Sequence, residues 1–228
     1  MLDVSRKELK YIIGTDEIYI YKSKLEKIMD ADPHNRDGGG YTIRSLYFDT
    51  FHDNDYMEKL DGLDKRQKIR MRIYDGQTNI IKLELKAKEG DFQRKRSLSL
   101  SLEEAESMID GDYTFLLERP EHLAHGLYTF MHTKGYIPKC IVEYDRMAFM
   151  NEFNDIRITF DMNLRALEDP SQFFKDDIES YRVADPSETT MEVKYNGFLF
   201  SYIKQTLDIV DKPRVSNSKY GRSRSFAK

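Results

Sequence analysis

The sequence predicts an α+β fold in which helices cover an antiparallel β-sheet. Three observations predict it: charged and apolar residues alternate strictly over two neighbouring runs, two further segments have helical spacing, and the composition supplies one core. Side chains alternate faces along a strand, so residues i, i+2 and i+4 share one side of a sheet. In QKIRMRIY, from Gln67 to Tyr74, Lys68, Arg70 and Arg72 lie on one face and Ile69, Met71 and Ile73 on the other. After a turn signal at Asp75 to Asn79, IIKLELKAK sets Lys82, Glu84, Lys86 and Lys88 against Ile81, Leu83, Leu85 and Ala87. The two runs read as a hairpin.

Other stretches repeat this design in chain order. Arg6, Glu8 and Lys10 share a side opposite Leu9, Tyr11 and Ile13, and YTIRSLYFD from Tyr41 to Asp49 reads as a second strand. Asp16 to Asp30 carries Ile18, Tyr21, Leu25, Ile28 and Met29 at helical spacing, with Thr15 or Asp16 as its N-cap. FQRKRSLSLSL, from Phe92, is a strand with basic residues on both faces, which leaves its orientation open. Ser101 followed by Glu104 is a capping-box signature for a helix through Met108, and Tyr113 to Gly135 reads as one or two helices interrupted near Pro120 and Gly126. In IVEYDRMAF, Tyr144 and Arg146 are in phase; in DIRITFD, Arg157 and Asp161 oppose Ile156, Ile158 and Phe160. Pro170 to Pro186 reads as loop with one helical turn. TMEVKY sets Glu192 and Lys194 against Met191 and Val193, and Phe198 to Val210 has the stripe of a core-facing helix.

Composition narrows the function classes. With 228 residues, 39% hydrophobic and 12% aromatic, the chain can bury one core and is neither collagen-like nor wholly disordered. No apolar run approaches the roughly 18 to 20 residues that cross a bilayer, and the charged N-terminal stretch lacks a signal-peptide core, so the expected address is cytoplasmic. The single cysteine, Cys140, lies in an apolar run and carries no chemistry. His122 and His125 read as surface or packing residues, since no acidic or cysteine partner pattern accompanies them. The loop DADPHNRDGGG leads into a strand rather than a helix, which argues against a phosphate-cradling helix terminus. There is no Ser-His-Asp ordering and no dinucleotide fingerprint.

Charge is distributed unevenly. The chain has 36 Lys plus Arg against 40 Asp plus Glu, a net −4. Yet the charged strand faces hold Arg6, Lys10, Lys68, Arg70, Arg72, Lys82, Lys86, Lys88, Arg146, Arg157 and Lys194 against only Glu8, Glu84, Asp161 and Glu192. One such face alone is ordinarily solvated. Several converging inside a closed barrel would repel one another unless an anion occupied the interior, which points to a polyanion-filled tunnel.

These blocks, in this order, resemble the VTC polyphosphate polymerase domain, a branch of the triphosphate tunnel metalloenzyme (CYTH-like) superfamily. RKELKYII resembles its opening strand, RSLYFDT the second, KIRMRIY the paired-arginine strand and KLELKAKEGDFQRKR the lysine-glutamate-lysine hairpin; EYDR, RITFD, MEVK and SNSKY follow. The resemblance implies an eight-stranded antiparallel β tunnel, a closed barrel with flanking helices, as a single domain over residues 1–221 with a short basic tail at 222–228.

The resemblance also implies roles. Arg70, Arg72, Lys86, Arg146 and Glu192 are the expected catalytic set. Lys10, Lys68, Lys82, Glu84, Lys95, Tyr144, Arg157, Lys194, Ser218 and Lys219 are the expected substrate contacts, with Arg94 or Arg96 as alternatives to Lys95. Glu192 is the expected metal ligand for Mn²⁺ or Mg²⁺, with Glu8 and Asp161 in support. CYTH-type triphosphatases open with E-x-E-x-K, whereas this stretch reads Arg6-Lys7-Glu8-Leu9-Lys10, which favours a polymerase over a hydrolase. The expected activity is transfer of the γ-phosphoryl group of ATP to inorganic polyphosphate; the alternatives are a tunnel triphosphatase and a non-catalytic polyphosphate- or nucleotide-binding module. Nucleic acid is not an expected partner, and a membrane-protein partner that would hold the chain at the inner face of a membrane stays open.

Overall fold

A computed structural model describes residues 6–36, 39–90 and 92–226. Ten strands form: β1 (Arg6–Gly14), β2 (Asp30–Ala31), β3 (Tyr41–Thr50), β4 (Lys65–Tyr74), β5 (Gln77–Glu89), β6 (Phe92–Leu100), β7 (Tyr136–Asn151), β8 (Ile156–Leu167), β9 (Tyr181–Arg182) and β10 (Glu188–Asn196). Six helices accompany them: α1 (Thr15–Leu25), α2 (Asn54–Leu60), α3 (Leu102–Ile109), α4 (His122–Lys134), α5 (Ser201–Thr206) and α6 (Lys219–Phe226). The strands join in the order β1-β10-β8-β7-β3-β4-β5-β6, with β2 on β7 and β9 on β8. Eight strands therefore make the main path, and β2 and β9 add two residues each. No ladder joins β1 to β6 among the described residues, so hydrogen bonds do not close the sheet into the barrel that was expected.

The chain packs as two compact units. The first draws on residues up to Thr42, Tyr144–Leu164 and Arg182–Ser218. Its core gathers Tyr11 and Ile13 of β1, Ile158 and Phe160 of β8, and Met191 and Val193 of β10 beneath Ile18, Tyr21 and Leu25 of α1 and Ile203 of α5. The second draws on Ile43–Glu143, Arg165–Tyr181 and residues from Lys219 onward. There Ile69, Met71 and Ile73 of β4, Leu83 and Leu85 of β5 and Leu98 and Leu100 of β6 pack on Ala105 and Met108 of α3 and Leu127 and Met131 of α4. Each apolar phase read from the sequence thus faces helices, and fully burying one such Leu or Ile side chain contributes roughly 1.5–3 kcal/mol.

Local chemistry sets the element ends. Asp75 and Gly76 both take positive φ, 51° and 69°, as a two-residue hairpin turn matched to strand twist requires. The turn is therefore confined to these two residues, and Gln77 to Asn79 already belong to β5. Ser101 Oγ accepts the Glu104 N–H at 3.1 Å while Glu104 Oε2 accepts the Ser101 N–H at 2.8 Å, closing the expected capping box of α3. Gly40, with φ +95°, comes so close to β7 that an added Cβ would lie 2.2 Å from the Arg146 carbonyl oxygen. Gly40 serves this close approach of backbones.

Four expectations about helices change. Helix α1 starts one residue after its N-cap, Gly14, and stops at Leu25, because Asp30 and Ala31 pair with Met150 and Phe149 instead. Helix α4 runs through Gly126 and ends at Gly135, whose φ of 64° suits a left-handed cap. Helix α5 is six residues long, and Phe198, 60% exposed, lies outside it. The short basic tail expected at 222–228 continues helix α6 as far as Phe226, with Ser223 fully buried and Arg224 donating to Asp53 at 2.8 Å; residues 227 and 228 lie outside the described residues.

Candidate functional site: two charged faces

In the second unit the centre of the charged phase of β4 and β5 is buried, while Lys68, Lys82 and Lys86 are half-buried and Lys95 on β6 is exposed. Arg70 and Arg72 are each 7% exposed and Glu84 1%. Register explains why these groups meet: Arg70 stands opposite Glu84, Lys68 opposite Lys86, and Arg72 opposite Lys82, while Lys86 also faces Lys95 on β6. Like charges placed directly opposite destabilise a ladder. Here three such cross-strand pairs surround a single carboxylate.

Glu84 takes that role fully. It accepts Arg70 Nε at 2.7 Å and Arg70 Nη2 at 2.6 Å, lies 4.0 Å from Arg72 Nη1, and pairs with Lys95. Burial alone would raise its pKa, but Arg70, Arg72 and Lys95 outweigh burial and hold the carboxyl well below the usual range. The β5–β6 register also resolves which basic residue of β6 belongs to this face. Lys95, Ser97 and Ser99 face Lys86, Glu84 and Lys82, whereas Leu98 and Leu100 enter the core, so Arg94 and Arg96 take the opposite phase. Lys82 Nζ donates to Ser99 Oγ at 2.6 Å.

Sequence phase alone missed the residues of β3 that complete this face. Ser45, opposite Arg72, accepts from Arg72 Nε at 3.3 Å, and Tyr47, opposite Arg70, accepts from Arg70 Nη1 at 3.1 Å. Asp49, in the same phase, is fully buried and accepts the backbone N–H groups of Thr50, Asp55 and Tyr56 and the Tyr220 hydroxyl. Lys219 opens helix α6 beside Tyr220. The clue in the sequence was the alternation Ser45, Tyr47, Asp49, a polar phase without a cation.

The charged face of the first unit is balanced. Lys10 on β1 stands opposite Glu192 on β10, and Glu8 opposite Lys194. Lys10 Nζ lies 3.0 Å from Glu8 and 3.3 Å from Glu192; Lys194 Nζ lies 2.9 Å from Glu192 and 3.8 Å from Glu8. Arg146 on β7 grips Asp161 of β8 through Nε at 2.6 Å and Nη2 at 2.8 Å, reaches Glu192 at 3.7 Å, and lies 5.3 Å from the ring centroid of Tyr144. Burial would lower the pKa of Lys10 and of Arg146. The neighbouring carboxylates outweigh it and hold both above their usual values.

Two contacts in this unit come from outside the matched strands. The Asn217 carbonyl accepts from Lys10 Nζ at 3.2 Å, and Val215 N–H bonds the Lys10 carbonyl, which brings the segment holding Ser218 alongside β1. Arg157, expected to touch substrate, donates Nη2 to Asp32 at 2.5 Å and to the Tyr41 hydroxyl at 2.9 Å. Its guanidinium anchors the loop after β2.

Oxygen donors of this kind suit Mn²⁺ or Mg²⁺, which take one or two carboxylates and complete their shell with phosphate and water. Glu8 and Glu192 fit, since one ammonium group already touches both. Asp161 gives both oxygens to Arg146, and Glu192 likewise meets Lys10 through one oxygen and Lys194 through the other, so a bound ion would displace a cation at either. Among the described residues no group of three His, Cys, Asp or Glu is placed to hold a metal by itself.

The sheet is antiparallel, with apolar residues under helices and, on its other phase, the buried Arg70, Arg72, Arg146, Glu84 and Glu192 flanked by lysines that reach solvent. The VTC domain family matches residues 5–228, and the chain belongs to that family. None of the curated proteins matches it in sequence. Among solved structures, a Hippeastrum protein, named as an adenylyl cyclase and described as having a dominant triphosphatase activity, is 12% identical with a TM-score of 0.58, covering 96% of this chain and 95% of that one. A Bacillus halodurans protein assigned by name to the adenylate cyclases is 13% identical with a TM-score of 0.53, covering 94% and 95%. These neighbours share the fold. No helix is long and apolar enough to cross a membrane among the described residues.

Proposed function

We propose that the protein is an ATP-dependent polyphosphate polymerase. The observation that carries this reading is the set of like-charge cross-strand pairs around the buried Arg70, Arg72 and Glu84, whose lysines reach solvent, an arrangement that a bound polyanion would relieve. Membership in the VTC domain family supports this reading. In the proposed reaction the bond between the γ-phosphorus of ATP and its β–γ bridging oxygen breaks, a bond forms from a terminal oxygen of the polyphosphate chain to that phosphorus, and ADP leaves.

Such a transfer needs in-line placement and neutralisation of oxygen charge more than covalent help. Arg70 and Arg72 supply forked donors, while Lys68, Lys82, Lys86 and Lys95 supply point charges that follow a moving chain. In the first unit Lys10, Arg146 and Lys194, with the hydroxyls of Tyr144 and Ser218, and in the second the ammonium of Lys219, are further proposed phosphate contacts. Glu192, supported by Glu8, would hold Mn²⁺ or Mg²⁺. When bound, that ion neutralises phosphate oxygens as a Lewis acid. A terminal phosphate is largely ionised near neutral pH, so the acceptor needs no histidine base.

A triphosphatase is the second reading, favoured by the fold shared with the Hippeastrum protein. The test is incubation of purified protein with ATP and Mn²⁺ or Mg²⁺, with and without a short polyphosphate primer, followed by gel and phosphorus NMR. A lengthening ladder with ADP, abolished in Arg72→Ala and Glu192→Gln, supports the polymerase. Orthophosphate alone assigns hydrolysis, and binding without turnover assigns a binding module.

A further inference from the structure

Two tyrosines outside the charged alternation carry the cations of β4. The Tyr47 ring, on β3, stacks on that of Tyr220, the second residue of α6, with centroids 4.9 Å apart and planes 18° apart. Both are buried. Arg70 donates to the Tyr47 hydroxyl, and its guanidinium carbon lies 5.9 Å from the Tyr47 ring centroid; Lys68 Nζ lies 5.8 Å from that of Tyr220. Residues 68 and 70 share a strand face, so consecutive cations of that face each lie over one ring of the stack.

The stack is itself anchored. The Tyr220 hydroxyl donates to Asp49 at 2.7 Å, and Asp49 is fixed by three backbone N–H groups. Arg224 donates to Asp53, and the hydroxyls of Ser225 and Tyr56 share a hydrogen bond of 3.1 Å, so α6 is tied to the start of α2 along its length. Tyr220 thus takes part in both helix docking and cation placement.

We propose that Tyr47 and Tyr220 are positioning residues, a two-ring platform that presets Arg70 and Lys68 for phosphate oxygens and is completed only when helix α6 is docked. This rests on the reading that Arg70 and Lys68 hold phosphate. Lysine and arginine lose much rotamer freedom when they grip a ligand, and a platform that restricts them beforehand lowers that loss.

The experiment measures the affinity of inorganic tripolyphosphate by calorimetry, and thermal stability in parallel, for wild type, Tyr47→Phe, Tyr220→Leu and Tyr220→Phe. Tyr47→Phe and Tyr220→Leu should each weaken binding about fivefold. Tyr220→Phe lacks the Asp49 hydrogen bond but keeps the ring, so it should share the lowered melting temperature and recover most of the affinity. Affinity that follows melting temperature across the variants, or stays at the wild-type value in Tyr220→Leu, overturns the platform. If Tyr220→Leu does not fold, Tyr47→Phe, which changes one hydroxyl, decides: wild-type affinity overturns the role of Tyr47. A folded wild type that binds no tripolyphosphate overturns the underlying phosphate reading, and the platform falls with it.

Discussion

Replacing Asp55 with asparagine should stabilise the protein at alkaline pH and leave it little changed in acid. Asp55, on α2, is 3% exposed; Oδ1 accepts the Tyr136 hydroxyl at 2.7 Å, while Oδ2 is buried without a hydrogen bond. Burial pushes its pKa from 3.8 up to about 7, with Asp49 and Glu58 adding to the rise and the Tyr136 hydrogen bond and Lys68 opposing it. Between those two values the folded chain keeps a proton that the unfolded chain has released. Stability therefore falls as pH rises through this interval, by about 1.4 kcal/mol per pH unit, to an upper bound of about 4 kcal/mol. Asparagine can still accept from Tyr136 and cannot ionise. Urea unfolding of both proteins across this range checks the difference, since other titrating groups cancel in the comparison. The advantage of Asp55→Asn should grow by roughly 2–3 kcal/mol from about pH 5 to about pH 8. A difference that stays flat, or grows toward acid, refutes the reasoning.

Two other outcomes follow from buried groups. Glu84→Gln leaves Arg70, Arg72 and Lys95 without their carboxylate and should cost about 3–5 kcal/mol in denaturant unfolding; added tripolyphosphate should raise the melting temperature more than in wild type. Cys140 is fully buried and its thiol is pushed up to about 12 by burial, so iodoacetamide should label it only under denaturing conditions, read by mass spectrometry.

Strand phase was the most legible feature of the chain. Strict alternation in β4 and β5 announced both their hydrogen-bonded pairing and the side each residue takes, because a face packed on helices tolerates no register slip. The same logic placed Glu8 and Lys10 opposite Tyr11 and Ile13, and Glu192 opposite Met191 and Val193. What the phase could not reveal was which strands become neighbours. The Lys10–Glu192 pair joins residues far apart in the chain, and the Arg157–Asp32 pair engages a residue in an irregular loop with no period to read. Lys95 stayed ambiguous because both phases of β6 carry cations; only Leu98 and Leu100 entering the core decide between them. Helix α5 and the two-residue strands are set by long-range packing. Helix α6 has no apolar stripe, so its burial rests on specific bonds from Tyr220 and Arg224.

The alternation of the two units along the chain bears on how they form. Residues 43–143 supply most of one unit, yet that unit is finished by residues 165–181 and by those from Lys219 onward, after the chain has twice returned to the other. No single cut yields either unit from contiguous sequence. A nascent chain that has emerged only as far as Ser218 presents Asp49 without the Tyr220 hydroxyl and Asp53 without Arg224, so each carboxylate still lacks one of its partners. Maturation of the arginine-lined face is thereby deferred until nearly all of the described chain has been made, and contacts of such long sequence separation belong to slow-folding proteins.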